Sequence, residues 1–75
     1  MSPIYLRVRE LREARGWTQV ELAERAGLRR PTISAIENEQ TKGVDFDVLE
    51  RLANALGVDP GFLIVRSERA RDAQR

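Results

Sequence analysis

The stretch T-Q-V-E-L-A-E-R-A-G-L-R-R-P-T-I-S-A-I-E, residues 18–37, contains the signals that decide the fold. Thr18 and Glu21 match the capping box S/T-x-x-E, in which a hydroxyl and a carboxylate each bind an otherwise unpaired backbone N–H at a helix start. Gly27 readily takes the left-handed conformation that ends a helix. The sequence therefore predicts a helix between Thr18 and Gly27.

A second helix follows after a short turn that contains Gly27. Ile33 and Ile36 give this helix an apolar side. Two helices joined in this way are typical of a helix-turn-helix, whose second helix places its N-terminal residues in the major groove of DNA. The side opposite the two isoleucines carries no large apolar residue, and it consists of Arg30, Pro31, Ser34, Ala35 and Asn38.

Helical periodicity continues on both sides of this pair of helices. Ser2, Asp45 and Asp59 are predicted caps of three further helices, each placed just before the first helical residue. These helices are predicted over about residues 3–15, 46–56 and 60–65. The chain is therefore predicted to be all-α, with five helices and no strand.

The composition limits the functions that this chain can perform. Its 75 residues make one small domain, and they include neither histidine nor cysteine. No glycine-rich phosphate loop follows a strand, so we expect no enzyme activity, no metal site and no cofactor. The longest apolar run is too short to span a bilayer and no signal peptide is present, which predicts a cytoplasmic protein that does not bind membranes.

Charge by itself does not identify a partner, because the formal net charge is only +1. The placement of the charges must decide. We expect a helix-turn-helix domain over residues 1–65 and a charged C-terminal tail over residues 66–75, where charges alternate without an apolar face.

With its flanks, the central stretch resembles the lambda-repressor-like, or XRE-type, helix-turn-helix family over about residues 4–64. The resemblance rests on four motifs at fixed spacing, namely R-x-x-x-G-x-T-Q, L-A-x-x-A-G, I-x-x-I-E and L-A-x-A-L-G-V. It implies a compact five-helix domain that binds double-stranded operator DNA as a homodimer. The implied function is a transcriptional regulator of bacterial or phage type, most simply a repressor, for which no small-molecule effector is evident.

The resemblance also implies roles for individual residues. Gln19 is expected to contact phosphate and to support the start of the reading helix. Arg12 and Glu37 are expected to form a largely buried salt bridge that orients this helix. We further predict phosphate contacts from Arg29 and Lys42. The resemblance places a phosphate contact at Asn38, and the positions that face base edges are Arg30, Pro31, Ser34 and Ala35.

Two adjacent arginines stand at the start of the reading helix, where the helix dipole disfavours each cation by about 0.3–1 kcal/mol. On an isolated protein such a pair would be an ordinary solvated surface feature. When this helix end contacts DNA, the two positive charges become favourable. We predict that Arg30 binds a guanine and Arg29 neutralises a phosphate. Pro31 disfavours helical dihedrals at Arg30, so the helix begins either at Arg30 or one residue later.

Four consecutive apolar residues, 62–65, end the predicted fifth helix. One helical face cannot bury them all against its own domain, so Phe62, Ile64 and Val65 are predicted to form a homodimer interface. The alternative is that this segment folds back as a cap on its own core.

Other interpretations remain open beside a repressor. An antitoxin or a restriction–modification controller would share these motifs, and so would a protein-interaction adaptor that does not bind DNA. Arg7, Arg9 and Arg15 alternate with Glu10 and Glu13, and we expect these arginines to be ordinary solvated charges.

Overall fold

The computed structural model describes residues 4–38 and 43–66. The five predicted helices are all present, and two short strands at the first and last described residues pair with each other. In chain order the elements are β1 (Ile4–Leu6), α1 (Val8–Ala14), α2 (Gln19–Ala26), α3 (Arg30–Glu37), α4 (Phe46–Leu56), α5 (Pro60–Leu63) and β2 (Ile64–Arg66).

Short polar side chains fix the starts of three helices, as the sequence predicts. Thr18 and Glu21 form a complete capping box at α2. The carboxylate of Asp45 accepts a hydrogen bond from the N–H of Val48 at 2.8 Å, and Asp59 caps α5 in the same manner. Each of these bonds satisfies a backbone donor that has no partner within its helix.

The expectation of no strand is wrong at the two ends of the described chain. β1 pairs antiparallel with β2, and Tyr5 lies opposite Val65. The first helix consequently begins at Val8 rather than at Pro3, and α5 ends at Leu63. β-branched and aromatic residues fit a paired strand well, but the pairing partners lie at opposite ends of the sequence, where helical periodicity cannot reveal them.

One apolar core lies between the helices and is closed by residue 63 of α5. Both α2 and α4 contribute small buried alanines to this core next to their buried leucines. Among the described helices, none is long and apolar enough to cross a membrane. The buried core residues are Val8, Leu22, Ala23, Ala26, Ile33, Ile36, Leu52, Ala53, Leu56 and Leu63.

The segment 62–65 is not one continuous helix, so the argument from a single helical face does not apply to it. Leu63 is fully buried, which means that the segment does fold back on its own domain. Ile64 and Val65 lie in β2, where successive side chains point to opposite faces. Phe62 and Ile64 each keep 47% of their surface exposed.

The cap of α4 gives a test of these helix starts. Replacing Asp45 by alanine removes the hydrogen bond to Val48, and we expect the free energy of unfolding to fall by about 1 kcal/mol. Chemical denaturation followed by circular dichroism measures this loss. Asp47→Ala is the matched control, because Asp47 is 69% exposed and its carboxylate is paired with Arg51 within the same helix. Its loss is expected to stay below about 0.5 kcal/mol, and equal losses would contradict the capping role.

Candidate nucleic-acid interface

The reading helix α3 begins at Arg30, the earlier of the two starts that the sequence allows. Arg29 is the N-cap residue with extended dihedrals, φ −88° and ψ 147°, and Pro31 follows in the first turn. Proline is tolerated there because its missing N–H would have no partner within the helix. Among the described residues, no side chain caps α3, and its first turn holds no acidic residue. The positive end of this helix is therefore uncompensated within the described structure.

The predicted base-facing residues share one side of α3. Arg29, Arg30 and Pro31 are exposed, whereas Ser34 and Ala35 are partly exposed one turn further along. The opposite side, with Ile33 and Ile36, is buried in the core. A depression of about 360 Å³ lies between α3 and the start of α4. Its lining residues include Pro31, Ala35, Val44 and Val48.

The carboxylate of Glu37, at the end of α3, has no exposed surface. It accepts two hydrogen bonds from Arg12, from Nε at 2.7 Å and from Nη2 at 3.0 Å. Bidentate pairing of this kind fixes the relative orientation of the two side chains as well as the distance between them. Arg12 is itself only 12% exposed and donates its Nη1 hydrogen to the carbonyl oxygen of Trp17 at 2.7 Å. The predicted pair is thus in contact and links α1 to α3.

Gln19 adds a third helix to this cluster. Its Nε2 atom donates to Oε1 of Glu37 at 3.1 Å. We expected Gln19 to support the start of the reading helix, but this contact is with the last residue of α3. A carboxylate only accepts hydrogen bonds, so the amide nitrogen of Gln19 must face it.

The environment of Glu37 changes the pKa of its carboxyl group. Burial alone raises that pKa, because it disfavours the charged form. Hydrogen bonds from Arg12, Gln19 and Arg9, together with the charge of Arg12, outweigh burial and leave the pKa below its ordinary value. The hydrogen bond to Glu37 conversely raises the pKa of Arg12. Glu37 is therefore ionised at neutral pH.

Arg9 forms a second link between α1 and the end of α3. Its Nη2 atom donates to Oδ1 of Asn38 at 2.9 Å, and its Nε atom lies 3.4 Å from Oε1 of Glu37. Asn38 in turn donates from Nδ2 to Oγ of Ser34 at 3.3 Å. A polar chain thus runs from α1 to a predicted base-facing side chain.

The expectation that three arginines of the N-terminal region are ordinary solvated charges is wrong. Besides the contacts of Arg9, the guanidinium of Arg7 stacks 4.3 Å from the ring centre of Phe62. Arg15 donates to the carbonyl oxygen of Leu56 at the end of α4. These contacts join distant parts of the chain, and the alternation of charges along the sequence carries no signal of them. Lys42, a predicted phosphate contact, lies outside the described residues.

Metal binding finds no support in the part of the chain that the structure describes. Within residues 4–38 and 43–66, no group of three or more acidic, histidine or cysteine side chains is arranged to hold an ion. The carboxylate at the centre of the site, Glu37, is bonded to arginine and glutamine instead.

A family model described as helix-turn-helix matches residues 8–63, from the start of α1 to the end of α5. No curated protein matches the sequence.

Solved structures of several regulators resemble the chain closely. SinR of Bacillus subtilis, the master regulator for biofilm formation, was crystallised in complex with DNA; it is 29% identical, with a TM-score of 0.70 over 73% of this chain and 87% of that one. The hypothetical transcription factor NHTF from Neisseria is 32% identical, with a TM-score of 0.73 over 88% of this chain and 75% of that one. SinR in complex with SinI is 26% identical, with a TM-score of 0.74 over 91% of this chain and 72% of that one.

Removing the charge of Glu37 tests how much its buried pair with Arg12 contributes to stability. Glu37→Gln removes the buried counter-ion of Arg12 and leaves only the exposed carboxylate of Glu13, 3.9 Å away, among the described residues, and we expect the free energy of unfolding at pH 7 to fall by about 3–5 kcal/mol. The lowered pKa of Glu37 means that its contribution is present above the unfolded-state pKa of about 4.3 and is lost as the pH falls through the folded-state pKa. The difference between wild type and variant should therefore shrink in acid.

Denaturation series at several pH values measure both effects. Glu24→Gln is the matched control, because Glu24 is exposed on α2. A Glu37→Gln protein as stable as this control at pH 7, or a difference that does not shrink in acid, would contradict the role of the buried pair.

Proposed function

Because the chain belongs to the lambda-repressor-like helix-turn-helix family, we propose that it is a DNA-binding transcriptional regulator, specifically a cytoplasmic repressor that binds a near-palindromic operator as a homodimer. The observation that carries this proposal is the exposed first turn of α3, where Arg29 and Arg30 stand at an uncapped positive helix end. SinR, which has the same fold, was crystallised with DNA, and this supports the proposal.

Arg30 is the proposed base-reading side chain. It lies in the first helical turn, which enters the major groove in a helix-turn-helix complex. An arginine there binds O6 and N7 of guanine with two hydrogen bonds. Pro31 and Ala35 border the apolar depression and are proposed to contact thymine methyl groups. Ser34 adds one hydroxyl for hydrogen bonding to a base.

Phosphate contacts are proposed on both sides of this helix. Arg29, at the N-cap, provides a fixed charge next to the helix dipole, where an anion is favoured. Gln19 uses one of its two amide hydrogens on Glu37, and the other is proposed to bind a phosphate. Asn38 likewise retains one amide hydrogen, and Lys42 is proposed as a further cationic contact.

The proposed dimer uses the exposed apolar surface at the C-terminal end of the described chain. Phe62 and Ile64 are each 47% exposed, and Val65, which follows on the opposite face of β2, is partly buried. A two-fold axis through this surface would present two copies of α3 to the same face of DNA. Their spacing must then be about 34 Å, one turn of the duplex.

A DNA-binding experiment distinguishes the proposed roles of Arg29 and Arg30. Duplexes retained by the protein from a random pool define the operator, and fluorescence anisotropy then measures affinity at several salt concentrations. Arg30→Ala is expected to lose about 1–3 kcal/mol of discrimination at one guanine position. Arg29→Ala should weaken binding to all duplexes alike and reduce the slope of log K against log salt by about 0.9, the contribution of one phosphate contact.

Arg51→Ala is the control for loss of one positive charge, because Arg51 lies on α4 and is paired with Asp47. A salt slope unchanged by Arg29→Ala contradicts the phosphate role, and an unaltered base preference in Arg30→Ala contradicts the reading role. Absence of any salt-dependent duplex binding by the wild-type protein would favour the protein-interaction adaptor instead.

Sedimentation tests the dimer. Ile64→Lys places a charge on the exposed apolar surface, and we expect it to convert a dimer at tens of micromolar into a monomer. Val20→Lys is the matched control, since Val20 is 48% exposed but lies on α2. A wild-type protein that is monomeric with and without operator duplex would refute the dimer.

A further inference from the structure

The side chains of Arg9, Asn38 and Ser34 form a directional chain of hydrogen bonds at the end of α3. Arg9 donates to Asn38 at 2.9 Å, and Asn38 donates to the hydroxyl oxygen of Ser34 at 3.3 Å. Ser34 is a base-facing residue of the proposed function, whereas Arg9 lies on α1 and is not part of the reading helix.

The chemistry of these groups fixes the direction of the chain. A guanidinium has hydrogen-bond donors and no acceptor, so the amide oxygen of Asn38 must face Arg9. The NH₂ group of Asn38 is thereby turned toward Ser34, whose oxygen accepts. An arginine on α1 thus determines which end of the Asn38 amide reaches the reading helix.

This direction has a consequence for Ser34. A hydroxyl is both a donor and an acceptor, and in isolation it can bind either kind of base edge. Because the Asn38 NH₂ group, and not its oxygen, faces the hydroxyl, the Ser34 hydrogen is not taken up by this amide and stays available to donate to DNA. In the major groove, guanine, thymine O4 and adenine N7 present acceptors, the exocyclic amino groups of cytosine and adenine are donors, and cytosine presents no acceptor.

We propose that Arg9 is a specificity-determining positioning residue: acting through Asn38, it keeps the hydroxyl hydrogen of Ser34 free to donate toward DNA, so that Ser34 binds a base edge that presents an acceptor. This inference rests on the proposed DNA binding and deepens it. Arg9 is not required to touch a base, and its side chain is half exposed beside Glu37. Its effect on DNA recognition is expected at one base position.

Selection from a random duplex pool, repeated with variants, tests the proposal. Ser34→Ala identifies the base position at which the wild-type preference depends on the hydroxyl. Arg9→Met should reduce discrimination at that same position by about threefold to tenfold, the range of one net hydrogen bond. Arg9→Lys retains a donor toward Asn38 and should restore the preference.

A fourth variant reverses the predicted direction. In Asn38→Asp the carboxylate accepts from both Arg9 and the Ser34 hydroxyl, so Ser34 turns its oxygen lone pairs toward DNA. We expect the preference at this position to change to cytosine, whose major-groove edge presents an amino group and no acceptor, although general affinity falls because of the added negative charge. A merely structural role of Arg9 predicts no such exchange.

Arg51→Met is the matched control, because Arg51 is 48% exposed and ion-paired, compared with 50% for Arg9. Circular dichroism verifies that each variant folds. The proposal is overturned if Arg9→Met keeps the wild-type preference at the Ser34 position, or if Ser34→Ala alters no position. In both cases salt-dependent DNA binding would persist, which distinguishes this outcome from failure of the proposed function, where no duplex is retained at all.

Discussion

The buried carboxylate of Glu37 is the interaction on which the placement of the reading helix depends. An ionised group without exposed surface is strongly destabilising unless it is fully paired, and here Arg12, Gln19 and Arg9 supply the partners. Because these partners come from α1 and α2, the carboxylate is satisfied in one arrangement of three helices and left unpaired in others. A purely apolar contact would tolerate small rotations of α3. The buried pair therefore contributes precision of orientation more than net stability.

This division of roles explains the composition of α3. Ile33 and Ile36 pack α3 against the core, and Glu37 fixes its rotation about the helix axis. The side chains on the outward side of α3 are therefore not needed to hold the helix in place. Its first turn lacks two common stabilising features, since arginine stands where a capping side chain and acidic residues are favoured. Such departures are expected where a surface is built for a partner that carries the missing negative charge. A DNA phosphate has that charge.

The parts of the fold that depend on neighbouring residues could be predicted from the sequence, and the parts that depend on distant residues could not. The capping box at Thr18 and the cap at Asp45 are short-range hydrogen bonds, so their residue types and spacing are sufficient. The pairing of β1 with β2 needs both ends of the chain, and no local pattern reveals it. The Arg12–Glu37 contact was anticipated through family resemblance alone. Arg9 and Asn38 are 29 residues apart in the sequence, and the alternating charges along α1 give no indication of their contact.

One short helix connects the proposed partner surface with the reading helix. Arg7, at the N-cap of α1, stacks on Phe62, while Arg9 and Arg12 on the same helix contact residues at the end of α3. A helix rises only about 1.5 Å per residue, so these contacts lie within about two turns of one rigid element. In the proposed dimer, α1 therefore contacts both the surface that meets the second copy, through Arg7 and Phe62, and the end of the helix that is proposed to enter the major groove.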